Sequence, residues 1–337
     1  MPPALDTLML VFSLDGELPV SVPKRGLFLG AVAHPALRDW PSVTGWQPDK
    51  ALADAWERAG FIRIDDLGDE RWPVVLVLPG KSREETLAWF TLARDHVASG
   101  GTIVVAMPNT VGARRFEKLL AQATGDVVSL QKHKCRAFRA TNNGGFNESV
   151  FDEWRVGMAP QAIPETSMVA QAGTFSANRI DPGSNFLADH LPRTLHGSVA
   201  DLGAGWGYLS DAVLKLCPKI ESLDLFEVDA RAVACARANL GGHDRPVTYH
   251  WHDVTTGLPT SYDAIVMNPP FHTGQATNID LGRRFMQVAM ESLNRDGELF
   301  LVANRQLPYE SVLESSGLEW RIAAEDKTYK LLFAKQH

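Results

Sequence analysis

One stretch decides the fold of the second half of this chain: Ser198-Val-Ala-Asp-Leu-Gly-Ala-Gly-Trp-Gly-Tyr-Leu-Ser210. It predicts a short apolar strand, a G-x-G-x-G loop, and a helix that begins near Tyr208. Glycine permits a tight turn and brings the backbone close to a bound ligand. A dinucleotide-binding fingerprint would place its last glycine where Tyr208 stands, so this loop does not fit it. A purely structural turn is the alternative.

The sequence beyond the loop favours a nucleoside-binding site. Ile220–Glu227 predicts the next strand, and its final carboxylate lies about twenty residues past the loop, where an acid accepts hydrogen bonds from ribose hydroxyls. Asp229 competes for this role. A helix over Ala230–Leu240 and a strand over Val247–Trp251 follow, and then Asp253 either accepts from an adenine amino group or caps a loop. This spacing is typical of S-adenosylmethionine-dependent methyltransferases, with the candidate cofactor residues Asp201, Gly203, Gly205, Gly207, Glu227 and Asp253.

The most specific feature is Ala264-Ile-Val-Met-Asn-Pro-Pro-Phe271, in which a buried strand ends in Asn-Pro-Pro-Phe. The prolines stiffen the loop, and the residue before a proline is held extended, so the strand end aims the Asn268 side chain. Asn-Pro-Pro-Phe alone also fits a strand-ending turn with a core phenylalanine. Its position downstream of the glycine loop favours a catalytic group made of Asn268, Pro269, Pro270 and Phe271.

These residue types suit transfer of a methyl group to an exocyclic or amide nitrogen. Such a nitrogen is a poor nucleophile because its lone pair is delocalised. The Asn268 side-chain oxygen and a carbonyl of the Pro269-Pro270 segment can accept its two protons, and the same dipoles stabilise the developing positive charge. Phe271 offers a stacking face for an unstacked base. This chemistry requires no metal ion, and no metal-ligand spacing is evident.

The two halves of the chain are built on one plan. In the stretches from Trp72 and from Tyr262, an apolar strand, a polar loop, a helix, a turn and a second strand follow in the same order. The first half has Leu78-Pro79-Gly80-Lys81 where the second has the catalytic tetrapeptide, and it lacks a glycine-rich loop. We therefore expect an α/β fold with two Rossmann-like class I methyltransferase domains in tandem, of which the N-terminal one is degenerate. Turn formers at 141–147 predict a degenerate domain over 1–145, a linker over 146–170 and a catalytic domain over 171–337.

Composition restricts the setting of the protein. The chain has 337 residues, of which 45% are apolar and 22% charged, and no apolar run is long enough to span a membrane. Three scattered cysteines predict a cytoplasmic protein, and the sequence is compatible with a monomer. Residues 1–145 contain 17 Lys and Arg against 16 Asp and Glu, whereas the rest contains 16 against 24. The acidic second half is thus unsuited to binding nucleic acid through bulk charge.

The sequence resembles the bacterial ribosomal RNA guanine-N2 methyltransferases of the RsmC/RlmG type over nearly its whole length. The resemblance is carried by Gly173–Ser184, Asn268–His272 and Gly297–Tyr309. It implies N2 methylation of a guanine in 16S or 23S ribosomal RNA, with S-adenosylmethionine as cofactor and ribosomal RNA or a ribosomal subunit as partner. It also implies that the N-terminal domain helps substrate recognition or folding, and that the segment before the first strand covers the cofactor through Phe175, Asp181 and Gly183.

Candidate substrate contacts come from local basic residues. In Gln131–Arg139, a period of two predicts one strand face that carries Lys132, Lys134 and Arg136, with Arg114 and Arg115 on the preceding helix. Lysines that protect an edge strand are the alternative. His272 either contacts substrate or caps its loop.

Three other functions compete with guanine methylation. Glutamine-N5 protein methyltransferases also use an Asn-Pro-Pro loop, although they more often have Tyr at the position of Phe271 and lack a degenerate duplicate domain. An adenine-N6 nucleic-acid methyltransferase would use the same nitrogen chemistry. The non-enzyme alternative is a ribosomal RNA-binding assembly factor with a vestigial pocket.

Overall fold

The apolar runs predicted in both halves form the strands of two similar sheets. The computed structural model describes residues 3–12, 20–270, 272–273, 276–277 and 279–337. The chain divides into a first compact unit that ends at Ala159 and a second one over Pro160–His337. In the described residues each unit contains a seven-stranded sheet, and the two sheets have equivalent strand orders. The predicted tandem α/β fold is confirmed.

The first unit alternates strands and helices around its sheet. Its strand order is β3-β2-β1-β4-β5-β7-β6, in which β1 to β5 are parallel and β7 is antiparallel to both neighbours. The elements are α1 (Pro3–Leu10), β1 (Gly26–Leu29), β2 (Val43–Trp46), α2 (Lys50–Arg58), β3 (Ile62–Arg63), β4 (Trp72–Val77), α3 (Arg83–His96), β5 (Val97–Pro108), α4 (Ala113–Thr124), β6 (Val127–Lys132), β7 (Cys135–Thr141) and α5 (Glu148–Arg155).

The second unit repeats this order as β12-β11-β10-β13-β16-β18-β17, again with β18 antiparallel to both neighbours. Its elements are β8 (Gln161–Ala162), β9 (Val169–Ala170), α6 (Pro182–Asp189), β10 (His196–Leu202), α7 (Tyr208–Leu216), β11 (Lys219–Glu227), α8 (Ala230–Leu240), β12 (Val247–Trp251), β13 (Tyr262–Met267), β14 (His272–Thr273), β15 (Ala276–Thr277), α9 (Ile279–Glu291), β16 (Leu293–Asn304), α10 (Glu310–Glu314), β17 (Glu319–Glu325) and β18 (Tyr329–Lys335).

The central strands are apolar on both faces because helices cover both sides of the sheet. Along β13, Ala264 and Val266 belong to one core cluster, and Ile265 and Met267 belong to the cluster on the opposite face. All four residues are at most 1% exposed. This buried strand ends at Met267, so the core fixes the position of Asn268, where the predicted catalytic tetrapeptide starts.

Strand pairing supports an internal duplication. In the first unit, the register between β4 and β5 shifts between Trp72 and Val74. In the second, the register between β13 and β16 shifts between Tyr262 and Ala264. The two irregularities occupy the same place in the two sheets. Because a register shift is a specific local feature and not a property of every βαβ unit, this agreement favours a common origin.

The boundary between the units differs from the predicted one. Residues 146–159, expected to be linker, include α5, whose Phe151 and Trp154 are buried in the core of the first unit. The rest of the expected linker belongs to the second unit, where Val169 N donates to Asn239 Oδ1 at 2.8 Å. Turn-forming residues lie on both sides of α5, and they made the short amphipathic segment between them look like part of a linker.

Candidate active site

The glycine loop joins β10 to α7 at the carboxyl end of the sheet. Gly203, Gly205 and Gly207 have positive φ angles of 72°, 57° and 92°, which other residues adopt only with strain. Gly203 N donates to the Phe226 carbonyl oxygen at 2.9 Å, so the end of β11 holds the start of the loop. A Cβ atom on Gly205 would meet no atom within 4 Å. The space beside the Gly205 Cα atom is therefore open, and Gly205 is one of the residues that line the cavity described below.

Two carboxyl groups flank this loop. Asp201, on β10, is 1% exposed and accepts a hydrogen bond from Ser210 Oγ at 2.7 Å. Burial raises the pKa of Asp201 to about 7, and the charge of Glu227 adds to the rise. Glu227, at the end of β11, accepts from the amides of Gly205 at 2.8 Å and Asp229 at 2.9 Å. Removal from water raises the pKa of Glu227 to about 7 as well.

Two further carboxylates cap helices. Asp229 caps α8 and accepts from Arg231 N at 2.9 Å, while its other oxygen pairs with the Arg231 guanidinium at 2.7 Å. Asp253 caps the 3-10 helix Val254–Thr256 and accepts from Thr255 N at 2.9 Å and Thr255 Oγ1 at 2.7 Å. The structure thus shows Asp253 as a cap through Oδ1, while its contact with an adenine amino group stays a prediction, and Glu227 remains the candidate ribose ligand.

Asn268 lies at the carboxyl end of β13, and its side-chain nitrogen is fully used. Asn268 Nδ2 donates to Asp181 Oδ2 at 2.7 Å and to Ser184 Oγ at 2.9 Å. Asp181 also caps α6 by accepting from Ser184 N at 2.8 Å. A Cβ atom on Gly183 would lie 3.1 Å from Asp181 Oδ2 and 3.2 Å from Tyr329 Cε1. A side chain at residue 183 would therefore crowd Asp181 and Tyr329, where the N-terminus of α6 packs beside Asn268.

One cavity unites most of these groups. It is bounded by the glycine loop, the segment before α6 and the end of β13, and its lining includes the exposed ring of Phe175. Of the residues predicted from sequence, the cavity brings together Phe175, Asp181, Asp201, Gly203, Gly205 and Asn268. Sequence reasoning missed Ser184, Trp206 and Tyr208, which also line it. Ser184 is the last residue of Gly173–Ser184, one of the segments that carry the family resemblance, and this was the sign in the sequence that it has a role.

The remaining predicted site residues lie outside the cavity lining or outside the described residues. Four of them do not line the cavity: Gly183, Gly207, Glu227 and Asp253. Pro269 is buried and Pro270 half-buried. Phe271 and the side chain of His272 are outside the described residues, so their predicted roles stay predictions.

The predicted basic strand face in the first unit is wrong. Lys132 ends β6 and pairs with Cys135 at the start of β7, so the chain reverses between them. His133 and Lys134 form the turn, with positive φ angles of 53° and 57°. A period of two continues only within one strand, and here a two-residue turn interrupts it. Arg136 is half-buried and donates to Glu117 Oε2 at 2.8 Å, which ties β7 to α4.

The described residues contain no group of three or more His, Cys, Asp or Glu side chains arranged to hold a metal ion. None of the helices in the same ranges has both the length and the apolar character needed to cross a membrane.

Comparison with known proteins identifies close counterparts of this architecture. The family model described as methyltransferase small domain matches residues 165–333. A ribosomal RNA small subunit methyltransferase C from Shewanella sp. (strain W3-18-1) is 29% identical over 276 residues, which cover 81% of this chain and 78% of that protein. The enzyme of the same name from Shewanella loihica is 30% identical over 262 residues, which cover 77% of this chain and 75% of that protein.

A solved structure agrees with the fold along almost the whole chain. It is the T. thermophilus 16S rRNA N2 G1207 methyltransferase (RsmC) in complex with AdoMet and guanosine. The match has a TM-score of 0.81 at 22% identity and covers 99% of this chain and 92% of that one. The fold class predicted from sequence, two methyltransferase-like α/β domains in tandem, is confirmed by this match.

Proposed function

Because this chain belongs to the methyltransferase small domain family, we propose that it transfers the methyl group of S-adenosylmethionine to the exocyclic N2 nitrogen of a guanine in small-subunit ribosomal RNA. The observation that carries the proposal is the shared cavity, which has the glycine loop on one side and Asn268 on the other. The named relatives act on the ribosomal small subunit, as their names state. A ribosomal substrate implies a cytoplasmic location.

The residues around the loop fit the cofactor. Its ribose carries two hydroxyl donors, for which Glu227 is the acceptor at the strand end. Gly205 and Asp201 both line the cavity, and the space beside the Gly205 Cα atom is open. Phe175 and Ser176 form the outer side of the cavity, as expected of a covering segment. When bound, the cofactor supplies an electrophilic methyl group on a sulfonium.

The protein's own contribution is to orient the accepting nitrogen. Both N–H groups of Asn268 are hydrogen-bonded within the protein. Its Oδ1 atom can therefore accept a hydrogen bond from the guanine amine. A carbonyl of the Pro269-Pro270 segment is the second acceptor. These two contacts favour a pyramidal nitrogen, and their dipoles stabilise its positive charge as the new bond forms. Fixing nitrogen and methyl group in line provides the remaining acceleration.

Docking of the RNA requires a basic surface, and the first unit has one. Residues 109–139 contain seven Lys and Arg against two Asp and Glu. Asn109 N donates to the Lys134 carbonyl oxygen at 2.9 Å, and Arg136 pairs with Glu117, so the hairpin turn and α4 lie side by side. We define the basic surface by the exposed side chains of Arg114, Arg115, Lys118, Lys132 and Lys134. It replaces the predicted strand face as the candidate phosphate-binding region of the degenerate domain.

Product analysis tests the reaction. The protein is incubated with labelled S-adenosylmethionine and, separately, with small subunits, large subunits, naked ribosomal RNA and a release factor. N2-methylguanosine in digested small-subunit RNA is the expected product. Methylglutamine or N6-methyladenosine as the only labelled product would refute the proposal.

Salt dependence tests the basic surface. Lys132→Gln with Lys134→Gln should reduce the slope of log KM against log salt by about 1.4 to 1.8, because each lost phosphate contact contributes about 0.7 to 0.9. Lys24→Gln with Lys81→Gln is the matched control, since both lysines are exposed in the same unit. Equal slopes in the two double variants would support the alternative that the hairpin lysines protect edge strand β6.

A further inference from the structure

We propose, on the basis of the function assigned above, that Asp181 and Ser184 are positioning residues that lock the Asn268 amide in the one orientation that can accept a proton from the substrate amine. The amide of asparagine has an oxygen on one side and an NH2 group on the other, and rotation about its last side-chain bond exchanges them. Only the orientation with the oxygen toward the cavity suits a donor such as guanine N2.

The carboxylate of Asp181 sets this orientation. An ionised carboxylate only accepts hydrogen bonds, so it selects the NH2 side of Asn268, 2.7 Å away. A rotated amide would place its own oxygen against Asp181 Oδ2, and two acceptors would then face each other. The cap of α6 holds the carboxylate in place, because Asp181 Oδ2 also accepts from Ser184 N at 2.8 Å.

Ser184 completes the lock without determining its direction. A hydroxyl both donates and accepts, so Ser184 Oγ would tolerate either side of the amide. Here it accepts the second N–H of Asn268 at 2.9 Å, which prevents that proton from pointing toward the substrate. Gly183 packs closely beside this pair, since a Cβ atom there would lie 3.1 Å from Asp181 Oδ2 and 3.5 Å from Asn268 Nδ2.

The segment before β10 thus has a role different from the one that the family resemblance implies. The family resemblance implied that Asp181 and Gly183 cover the cofactor, whereas their contacts in the structure are with the catalytic asparagine. The two roles differ in their consequences. A cofactor ligand affects the dissociation constant of S-adenosylmethionine, while a positioning residue affects kcat and leaves that constant nearly unchanged.

A double-mutant cycle tests the proposal. Asp181→Ala removes the acceptor that selects the NH2 side of Asn268, so kcat should fall about 10- to 100-fold. Asp181→Asn keeps an oxygen in the place of Oδ2, which accepts from both Ser184 N and Asn268 Nδ2, and kcat should stay within about threefold of the wild type. Asn268→Asp places a second carboxylate against Asp181 and should lower kcat at least as far as Asp181→Ala. A carboxylate at position 268 accepts in either orientation and needs no lock, so adding Asp181→Ala to Asn268→Asp should raise kcat.

The controls separate positioning from folding and cofactor binding. Asp189→Ala makes the same chemical change at the exposed end of α6 and should leave kcat unaltered. Thermal melting monitors folding, and calorimetry measures the affinity for S-adenosylmethionine. A double variant that is no faster than Asn268→Asp alone would overturn the proposal. So would a main effect of Asp181→Ala on cofactor affinity.

An observation independent of catalysis distinguishes this inference from the proposed function. In 15N-labelled protein, the Asn268 side-chain NH2 protons should exchange slowly with water, and Asp181→Ala or Ser184→Ala should accelerate the exchange. Fast exchange in the wild type would exclude the lock even if N2-methylguanosine is formed. Slow exchange without any methylated guanine would leave the lock standing and refute the reaction.

Discussion

Cofactor affinity should increase as the pH rises through neutrality. Burial raises the pKa of both Asp201 and Glu227 to about 7. In the free protein each carboxyl group is therefore largely protonated below that pH. Hydrogen bonds from the cofactor's ribose hydroxyls, and its positive charge, are both better satisfied by the ionised forms. Binding near neutral pH should consequently release protons.

The size of the effect follows from the raised pKa values. Where only the ionised group binds, the dissociation constant is multiplied by 1 + 10^(pKa − pH), which is about 11 at pH 6 and about 1.1 at pH 8 for a pKa of about 7. Each group thus contributes about a tenfold change, and the pair together up to about 100-fold.

The stability of the fold should change with pH in the opposite direction to the cofactor affinity. A carboxyl group whose pKa is higher in the folded than in the unfolded state stabilises the fold at low pH, and this contribution is lost as the pH rises from about 4 through 7.

Isothermal calorimetry in buffers of different ionisation enthalpy measures both affinity and proton release. Methylthioadenosine serves as the second ligand because it lacks the amino group of S-adenosylmethionine, whose own titration overlaps this pH range. Glu227→Gln should remove about tenfold of the pH dependence for both ligands. An affinity that is constant between pH 6 and pH 8 would refute the reasoning, as would a Glu227→Gln variant with the full dependence.

Three further results are expected. Asn268→Ala should lower kcat by about 100-fold or more and change the cofactor dissociation constant less than about threefold, as measured by methyl transfer and calorimetry, because the lost acceptor contacts the substrate. Gly207→Ala should lower the free energy of unfolding in urea by about 1 to 3 kcal/mol, because φ is 92° and the new Cβ would lie 3.3 Å from Ala236 Cβ. Calorimetry should give one cofactor per chain, and a stoichiometry of two would contradict a degenerate first domain.

Local signals predicted the elements around the cofactor loop well. The helix over Ala230–Leu240 and the strand over Val247–Trp251 have the predicted bounds, and α7 begins at Tyr208. Each of these boundaries is set by residues within the element or next to it, such as the cap Asp229 or the glycines that end a helix. Short-range patterns can specify such features without knowledge of the rest of the fold.

The features that sequence reasoning missed depend on residues far apart in the chain. Asn268 and Ser184 are separated by 84 positions, and only the folded sheet brings them within hydrogen-bonding distance. The basic strand face failed for a different reason. His133 and Lys134 form the hairpin turn with positive φ angles, yet neither is a glycine, the residue that usually marks such a turn. The alternation of residues from Lys132 onward therefore looked the same as that of a continuous strand.

The first unit, which we propose to be degenerate, differs from the second at single positions of equivalent turns. In the first unit, Gly30 N donates to the Trp46 carbonyl oxygen at 2.9 Å, just as Gly203 N donates to Phe226 in the second. Gln47 then occupies the place equivalent to Glu227, and it donates its amide to the Ala31 carbonyl oxygen at 2.9 Å.

Because the NH2 group of Gln47 is bonded to Ala31, only its neutral amide oxygen could accept hydrogen bonds from ribose hydroxyls, in place of the carboxylate of Glu227. The ring of Trp89 also lies within 2.6 Å of where a Cβ atom on Gly30 would be, whereas the equivalent approach of Phe285 to Gly203 is 3.4 Å. The space beside the turn is thus filled more tightly in the first unit. Gln47→Glu alone would supply the carboxylate and still leave Leu78 where the second unit has Asn268, so one substitution does not give the first unit both groups.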